Sequence, residues 1–288
     1  NNTVTTSEGI DDVTLGGGID IVTLGAGADI EMFKMDTQYF NMSSRYSIAL
    51  SRPKSIYAVN LTHSFSNILQ TDTAKAISEK SLPEELDFVS YMYGLSFEKD
   101  KIKEGLYFND PVGWNVSVNA GVKEIIENDI LINIKTNDIG NKIKEEYDSL
   151  NSNMSNLRLG MGAYGRMLLS DRFAFKFGLK ANSMFSKAYL DNEVFRLGGI
   201  RDIRGFNEGE ILAHRFGLIS SEFHFGLELS SSIFCFYDKA YFINYVLDQK
   251  KYLTGFGLGL SLKVSTGQLK LIYAYGKQKD LPVLWTNA

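Results

Sequence analysis

Apolar and polar residues alternate with a period of two along most of this chain, in runs longer than the ~5–6 residues typical of strands in soluble proteins. From Leu157 to Leu169 one face carries Leu157, Leu159, Met161, Ala163, Met167 and Leu169, and the other carries Arg158, Gly160, Gly162, Tyr164 and Arg166. After Ser170-Asp171-Arg172 the pattern resumes with Phe173, Phe175, Phe177, Leu179 and Ala181 against Lys176, Gly178, Lys180 and Asn182, which predicts a tight hairpin. A second hairpin is predicted where Phe256, Leu258, Leu260, Leu262 and Val264 alternate with Gly255, Gly257, Gly259, Ser261 and Lys263. It turns at Ser265-Thr266-Gly267 and returns through Leu269, Leu271, Tyr273 and Tyr275. Shorter alternating runs lie at Tyr46–Leu50, Tyr57–His63, Tyr91–Glu98 and Trp114–Lys123.

A soluble sandwich also alternates, but strands of roughly ten residues with a glycine-rich or charged second face suit a tilted crossing of a bilayer around a polar lumen. In hydrocarbon every backbone polar group must be paired, so such strands have to close into a barrel. The connections support this reading. Ser51–Ser55, Lys99–Lys103, Ser170–Arg172, Ser230–Ser232 and Ser265–Gly267 read as short turns, whereas Asp36–Arg45, Phe65–Asp87, Asn137–Asn156 and Lys187–Ile211 read as long polar loops on the opposite side. The expectation is an all-β, up-and-down antiparallel transmembrane barrel, a single domain over residues 1–288, with about fourteen strands between Val13 and Lys279. Thr73–Lys80 and Ile139–Leu150 leave room for helical turns, with solvated loop as the expected state.

Composition narrows the class. Among 288 residues, 44% are hydrophobic and 22% charged, which excludes a wholly disordered polypeptide, and 26 Gly, 4 Pro, 19 Phe and 15 Tyr favour strands over helices. The net charge of −4, with Lys and Arg scattered, argues against nucleic acid as a partner. The lone Cys235 excludes an internal disulfide and a multi-cysteine metal site. No run of ~18 apolar residues is present, since Asp238 and Lys239 interrupt Ile233–Leu247. The polar opening Asn1–Asp12 shows no signal peptide, as expected of a mature or trimmed start.

Within the last long loop stands Phe195-Arg196-Leu197-Gly198-Gly199-Ile200-Arg201-Asp202-Ile203-Arg204-Gly205-Phe206. It resembles the signature of the BamA/TamA superfamily, which includes the transporters of two-partner secretion: an F-x-L-G-G segment followed by an R-G-F/Y tip. The resemblance covers Phe195 to Lys279, taking in Glu222, Phe236-Tyr237-Asp238 and the final hairpin. It implies a bacterial outer-membrane barrel of sixteen strands whose sixth extracellular loop folds back into the lumen. Four strands follow the loop here and ten are counted before it, so the first and last strands, and the periplasmic POTRA domains the family usually carries, are expected to lie outside this sequence, with a genuine fourteen-stranded barrel as the alternative.

By that resemblance Arg204 is the arginine of the tip, with Gly205 allowing its turn, Phe206 packing it, and Gly198 and Gly199 preceding it. An arginine on an inward-folded loop needs anionic partners in a partly dehydrated lumen, and Glu222 and Asp238 supply them. Glu222 shares an inward face with His224 and Glu228, whereas Asp238 shares its face with Phe234 and Phe236, which makes its direction less secure.

The functional expectation is a barrel that inserts or assembles other outer-membrane proteins. Its partners would be outer-membrane lipid, unfolded outer-membrane or secreted polypeptide clients and accessory lipoproteins. The alternative is an export pore of the two-partner-secretion type, its wide path lined by Gly25, Gly27, Asp29, Glu31, Arg158 and Arg166. A barrel enzyme is the remote alternative: His63, His214 and His224 stand near Ser64, Ser220, Ser221 or Asp238 in sequence, without a G-x-S-x-G elbow. No cofactor is implied, because Gly16-Gly17-Gly18 and Gly25-x-Gly27 sit in alternating strands and precede no helix. Cys235 reads as a small lipid-facing or turn-proximal residue and not as a reactive thiol.

Overall fold

A computed structural model describes residues 13–15, 21–34, 38–52, 55–70, 82–83, 85–99, 113–132, 137–150, 154–227, 231–264 and 267–280. Its strands are β1 (Val13–Leu15), β2 (Ile21–Lys34), β3 (Gln38–Arg52), β4 (Ser55–Gln70), β5 (Phe88–Lys99), β6 (Gly113–Ile125), β7 (Met154–Leu168), β8 (Phe173–Ser186), β9 (Phe195–Leu197), β10 (Ile211–Ala213), β11 (Arg215–Gly226), β12 (Ser232–Asn244), β13 (Gln249–Val264) and β14 (Gly267–Asp280). Two helices, α1 (Asp129–Ile132) and α2 (Asn137–Leu150), lie between β6 and β7.

Twelve strands form one sheet in the order β1-β2-β3-β4-β5-β6-β7-β8-β11-β12-β13-β14, while β9 and β10 make a separate ribbon inside the loop between β8 and β11. Fourteen strands are expected from the sequence, ten before the signature loop and four after it, whereas the described residues hold twelve in the sheet, and the ribbon β9–β10 lies inside the loop, where no strand is expected. Four sheet strands follow the signature loop, as counted, and eight precede it among the described residues. Three connections differ from expectation. Phe65–Asp87 is not all loop, because β4 continues to Gln70 and pairs with β3. Asp36–Arg45 is not a long loop, because β3 begins at Gln38 and pairs from there, Lys34 facing Gln38. Ile139–Leu150 is not a solvated loop but lies within α2, whose Ile143 and Tyr147 are fully buried. Thr73–Lys80 and the turn after Lys99 fall outside the described residues.

The chain divides into two compact units, one of Asn1–Phe97, Ser117–Arg158 and Met184–Val194, the other of Glu98–Val116, Leu159–Ser183 and Phe195–Ala288. In the first, Leu86, Phe88, Ile125, Leu131, Ile143, Tyr147, Met154 and Leu190 pack into one core. Two polar side chains beside it, Asp87 and Asn192, are tied to their neighbours. Asp87 accepts from Ile68 N and, at 2.7 Å, from Asn128 Nδ2, and Asn192 Nδ2 donates to Ser66 Oγ (2.6 Å) and Leu86 O (2.8 Å). Burial raises the Asp87 carboxyl above its ordinary range against these two bonds, and burial pushes the Tyr147 phenol up to about 12, with Asp87 and Glu127 adding to the rise.

In the second unit, strict alternation sorts the sheet into two unlike faces. Along β12, Phe234, Phe236, Asp238, Ala240 and Phe242 are buried while Ile233, Cys235, Tyr237 and Lys239 are exposed. The buried face packs against the signature loop: Leu197, Ile203 and Ile211 join Phe216, Leu218, Ala240, Phe242 and Leu253 in one core, flanked by Phe195 and Phe206. The opposite face leaves Leu258, Leu271, Tyr275 and Tyr273 exposed, the last at 83%. An exposed apolar sheet face this extensive is unfavourable in water and fits contact with hydrocarbon. No helix among the described residues is long and apolar enough to cross a membrane, which leaves crossing by strands open.

Candidate functional site

The site is built on two rows of residues that the sheet register aligns across neighbouring strands. In the first row Gly178, Ser220, Asp238, Gly255 and Gly276 face one another in turn across β8, β11, β12, β13 and β14. In the next, Lys176, Glu222, Phe236, Gly257 and Ala274 do the same. Each residue is two positions from its counterpart in the adjoining row, so all of them point to the buried face.

Across these rows lies the tip of the loop. Ribbon β9–β10 brings its two limbs together, with Leu197 opposite Ile211. Gly199 N then donates to Phe206 O at 3.0 Å, closing the tip on itself. Two glycines make this fold possible. Gly198 (φ 125°) and Gly205 (φ 94°) occupy backbone conformations that side-chain-bearing residues rarely adopt, and a Cβ on Gly198 would overlap Asn207 O.

The sheet beneath is correspondingly bare. A Cβ at Gly255 would collide with Arg204 O, one at Gly276 with Gly205 O, and one at Gly205 with the Tyr275–Gly276 backbone. Backbone therefore rests directly on backbone, with the Phe206 ring over Gly276.

This contact delivers Arg204 into a polar nest. Its Nε donates to Asp238 Oδ2 at 2.7 Å and its Nη2 to Asp238 Oδ1 at 2.6 Å, a bidentate pair, and its backbone N reaches the same carboxylate at 3.2 Å. Nη1 donates to Glu222 Oε1, and Nη2 also reaches Ser220 Oγ at 2.9 Å. The guanidinium lies 3.8 Å from the centre of the Phe236 ring. The Asp238 side chain is fully buried, that of Arg204 is 7% exposed and that of Glu222 22%. Burial works against the Arg204 charge, but the hydrogen bonds and charges of Asp238 and Glu222 outweigh it and hold the guanidinium above its ordinary value.

The partners are themselves held. Ser220 Oγ donates to Asp238 Oδ1 at 2.7 Å. His224 Nε2 lies 2.8 Å from Glu222 Oε2 and its Nδ1 lies 3.1 Å from Ser232 Oγ, while its ring stacks on Phe234 at 4.8 Å. A carboxylate only accepts, so Nε2 carries a proton, and with the ring neutral Ser232 donates to Nδ1. The serine that sits on Asp238 thus has no histidine bonded to it, and His224 orients Glu222 toward the arginine. The arrangement is suited to holding a loop in place.

The structure brings Arg204, Gly205, Phe206, Glu222 and Asp238 into one site and makes Gly198 and Gly199 the start of the tip. Asp238 shares the buried face with Phe234 and Phe236, which resolves its direction. Sequence reasoning named Ser220 only for the remote enzyme reading and missed it as a partner of Arg204 and Asp238, and it missed Phe236 as the surface under the guanidinium and the Gly255/Gly276 seat. The register was the signal available for all three, since pairing β11 with β12 places Ser220 opposite Asp238. Glu228 lies outside the described residues, as do the side chains of Asp29 and Glu31, while Gly25 and Gly27 lie in β2. Of the remaining residues singled out, His63 stacks on Tyr91 at 4.8 Å, His214 Nδ1 accepts from Tyr245 N at 3.1 Å, and Cys235 stands on the exposed apolar face. Arg158 donates to Glu193 O at 3.3 Å in the first unit.

No protein-family model matches the chain, and no curated protein matches it. Among solved structures it is similar to BamA from Haemophilus ducreyi lacking POTRA domains 1-3, with 12% identity and a TM-score of 0.62 over 92% of this chain and 59% of that one. It is also similar to CdiB from Acinetobacter baumannii, with 13% identity and a TM-score of 0.51 over 92% of this chain and 49% of that one. The chain thus spans about three fifths and one half of these two proteins. Its fold is the BamA/TamA-type β-barrel fold, the one implied by the signature in the loop.

Proposed function

We propose that this chain is an outer-membrane β-barrel that inserts or assembles other outer-membrane proteins, with the Arg204-Gly205-Phe206 loop locked in its lumen. The observation that carries the reading is the Arg204 clamp on its glycine seat. A loop that spends a buried bidentate arginine, a second carboxylate and a backbone-to-backbone contact on staying down is an architectural brace. Charge-assisted bonds contribute roughly 1.5–3 kcal/mol each. An export pore whose lid must swing aside would have to repay that whole set at each opening, which favours assembly over export. The exposed apolar face supports residence in a bilayer, and unfolded polypeptides are the clients this reading implies, met at sheet edges by strand addition. Accessory lipoproteins belong to the same proposal.

The deciding experiment is Arg204→Ala in the full-length protein in cells, read by the level of folded outer-membrane proteins and by secretion of a co-encoded exoprotein. A fall in folded barrels at constant protein level is the expected result. Selective loss of the exoprotein would establish the export reading instead, and no change in either would remove the lock.

A further inference from the structure

The exposed face of the second unit is graded along the strands. At the end of the short turns it is apolar, with Phe173, Phe225, Ile233, Leu260 and Leu271 aligned in one row. Two rows further on Tyr237, Phe256 and Tyr275 face one another, bringing phenol hydroxyls onto the face. In the next row, Lys239 faces Thr254, which faces Lys277. Beyond that Tyr241 faces Tyr252, which faces Lys279, and a third row runs from Arg215 through Ile243 to Lys250. On this face the three outer rows, from β8 to β14, carry five basic side chains and no carboxylate, and Asp248 stands beyond them in the turn between β12 and β13.

We infer that this end of the exposed face is a binding surface for the phosphate groups of anionic lipids. The claim rests on the proposed residence in a bilayer and adds to it a lipid class and a position. Strands two apart are separated by ~10 Å and successive rows by ~7 Å, so Lys239, Lys277 and Lys279 span an area that one or two headgroups fill. Their flexible stems let the ammonium groups reach outward from the apolar rows to the polar layer. Lys239 already lies over the Tyr252 ring, with Nζ 5.5 Å from its centre, and Tyr241 packs on Tyr252 at 5.2 Å, which fixes the base of the patch. Tyrosines next to lysines at the rim of an apolar band mark the depth at which hydrocarbon gives way to headgroups. Among the described residues the opposite end of the face shows no comparable basic cluster: Lys263 and Lys270 lie on the other face by alternation, and Arg172 stands alone in the turn between β7 and β8. The surface is therefore one-sided, and it lies at the end from which the signature loop departs.

The test uses the full-length protein reconstituted into phosphatidylcholine vesicles with and without phosphatidylglycerol, and native mass spectrometry of the lipids retained. Enrichment of phosphatidylglycerol should fall about fivefold or more in K239Q/K277Q/K279Q, since each lysine near a surface attracts anionic lipid measurably, and it should persist in the control K263Q/K270Q. Equal enrichment in all three proteins overturns the inference. Loss of the enrichment on adding inorganic phosphate to vesicles at constant ionic strength would assign the site to the free anion and overturn the lipid claim. Failure of the wild-type protein to insert at all would instead sink the membrane reading on which this one stands, and that outcome is separately visible as protein absent from floated vesicles.

Discussion

The long loop between β8 and β11 is tied down by two buried ion pairs of opposite design. Its first arm carries Glu193, whose Oε1 accepts from Lys123 Nζ at 2.8 Å, with both side chains fully buried, and the same ammonium donates to Ala188 O at 2.7 Å. Its second arm carries Arg204, shared among Asp238, Glu222 and Ser220. The first joins one ammonium to one carboxylate in a dry core, with Arg158 donating to the Glu193 backbone beside it, and Glu193 Oε2 has no hydrogen-bond partner among the described residues. The second surrounds one cation with two carboxylates and leaves Glu222 partly wet. A dry pair gains little over a hydrophobic pair of the same shape but is costly to break from one side, whereas a fork of donors with redundant acceptors can lose one partner and keep the rest. The two anchors should therefore fail differently.

The largest effect is expected at the dry pair. Lys123→Met strands a carboxylate and should cost about 3–5 kcal/mol, seen as a lowered urea midpoint by circular dichroism in detergent, while K123M/E193M should recover most of the loss. If the double variant is as unstable as the single one, the contrast drawn here is wrong.

Next comes Arg204→Ala, at about 2–4 kcal/mol, accompanied by new protease cleavage between Arg196 and Glu210. Arg204→Lys should restore less than half of the protection, because an ammonium cannot reproduce the fork. Full restoration would reduce the site to simple charge.

Gly276→Ala should cost about 1–3 kcal/mol by lifting the tip off its seat without touching any charge, and the same proteolysis checks it. The smallest effect at neutral pH belongs to Tyr147→Phe. With its folded value raised from 10 to about 12, Tyr147 contributes stability that is present below pH 10 and lost as pH rises toward 12. The wild-type protein should lose up to about 2 kcal/mol across that window, and Y147F should show a shallower decline. Parallel curves would remove the phenol from the account.

The sequence made the second anchor legible and hid the first for a physical reason. Arg204 announces itself because a tip needs its glycines and its arginine within a few residues, and a period of two then identifies the strands that face it. Lys123 and Glu193 are 70 positions apart, and each looks ordinary in its own segment: a lysine near the end of an alternating strand and an acid in a polar loop. Helix α2 was hidden in a similar way. Gly140 and two asparagines weaken its intrinsic preference, and its helicity is secured by burying Ile143 and Tyr147 against residues distant in sequence. The start of β3 escaped notice because Asn41, Ser43, Ser44 and Arg45 interrupt the apolar pattern, although their backbones pair regularly with β2.

The clamp also has a bearing on how the chain reaches this state. Ser220 and Glu222 come from β11, Asp238 from β12, and the bare glycines of the seat from β13 and β14, so Arg204 can settle only after four strands have zipped together. A slip of one position between any two of them would turn a carboxylate outward or put a side chain where the tip must lie. Mispaired intermediates would therefore keep a loose loop and an unneutralised carboxylate, and the arginine acts as a late checkpoint that rewards only the correctly aligned sheet.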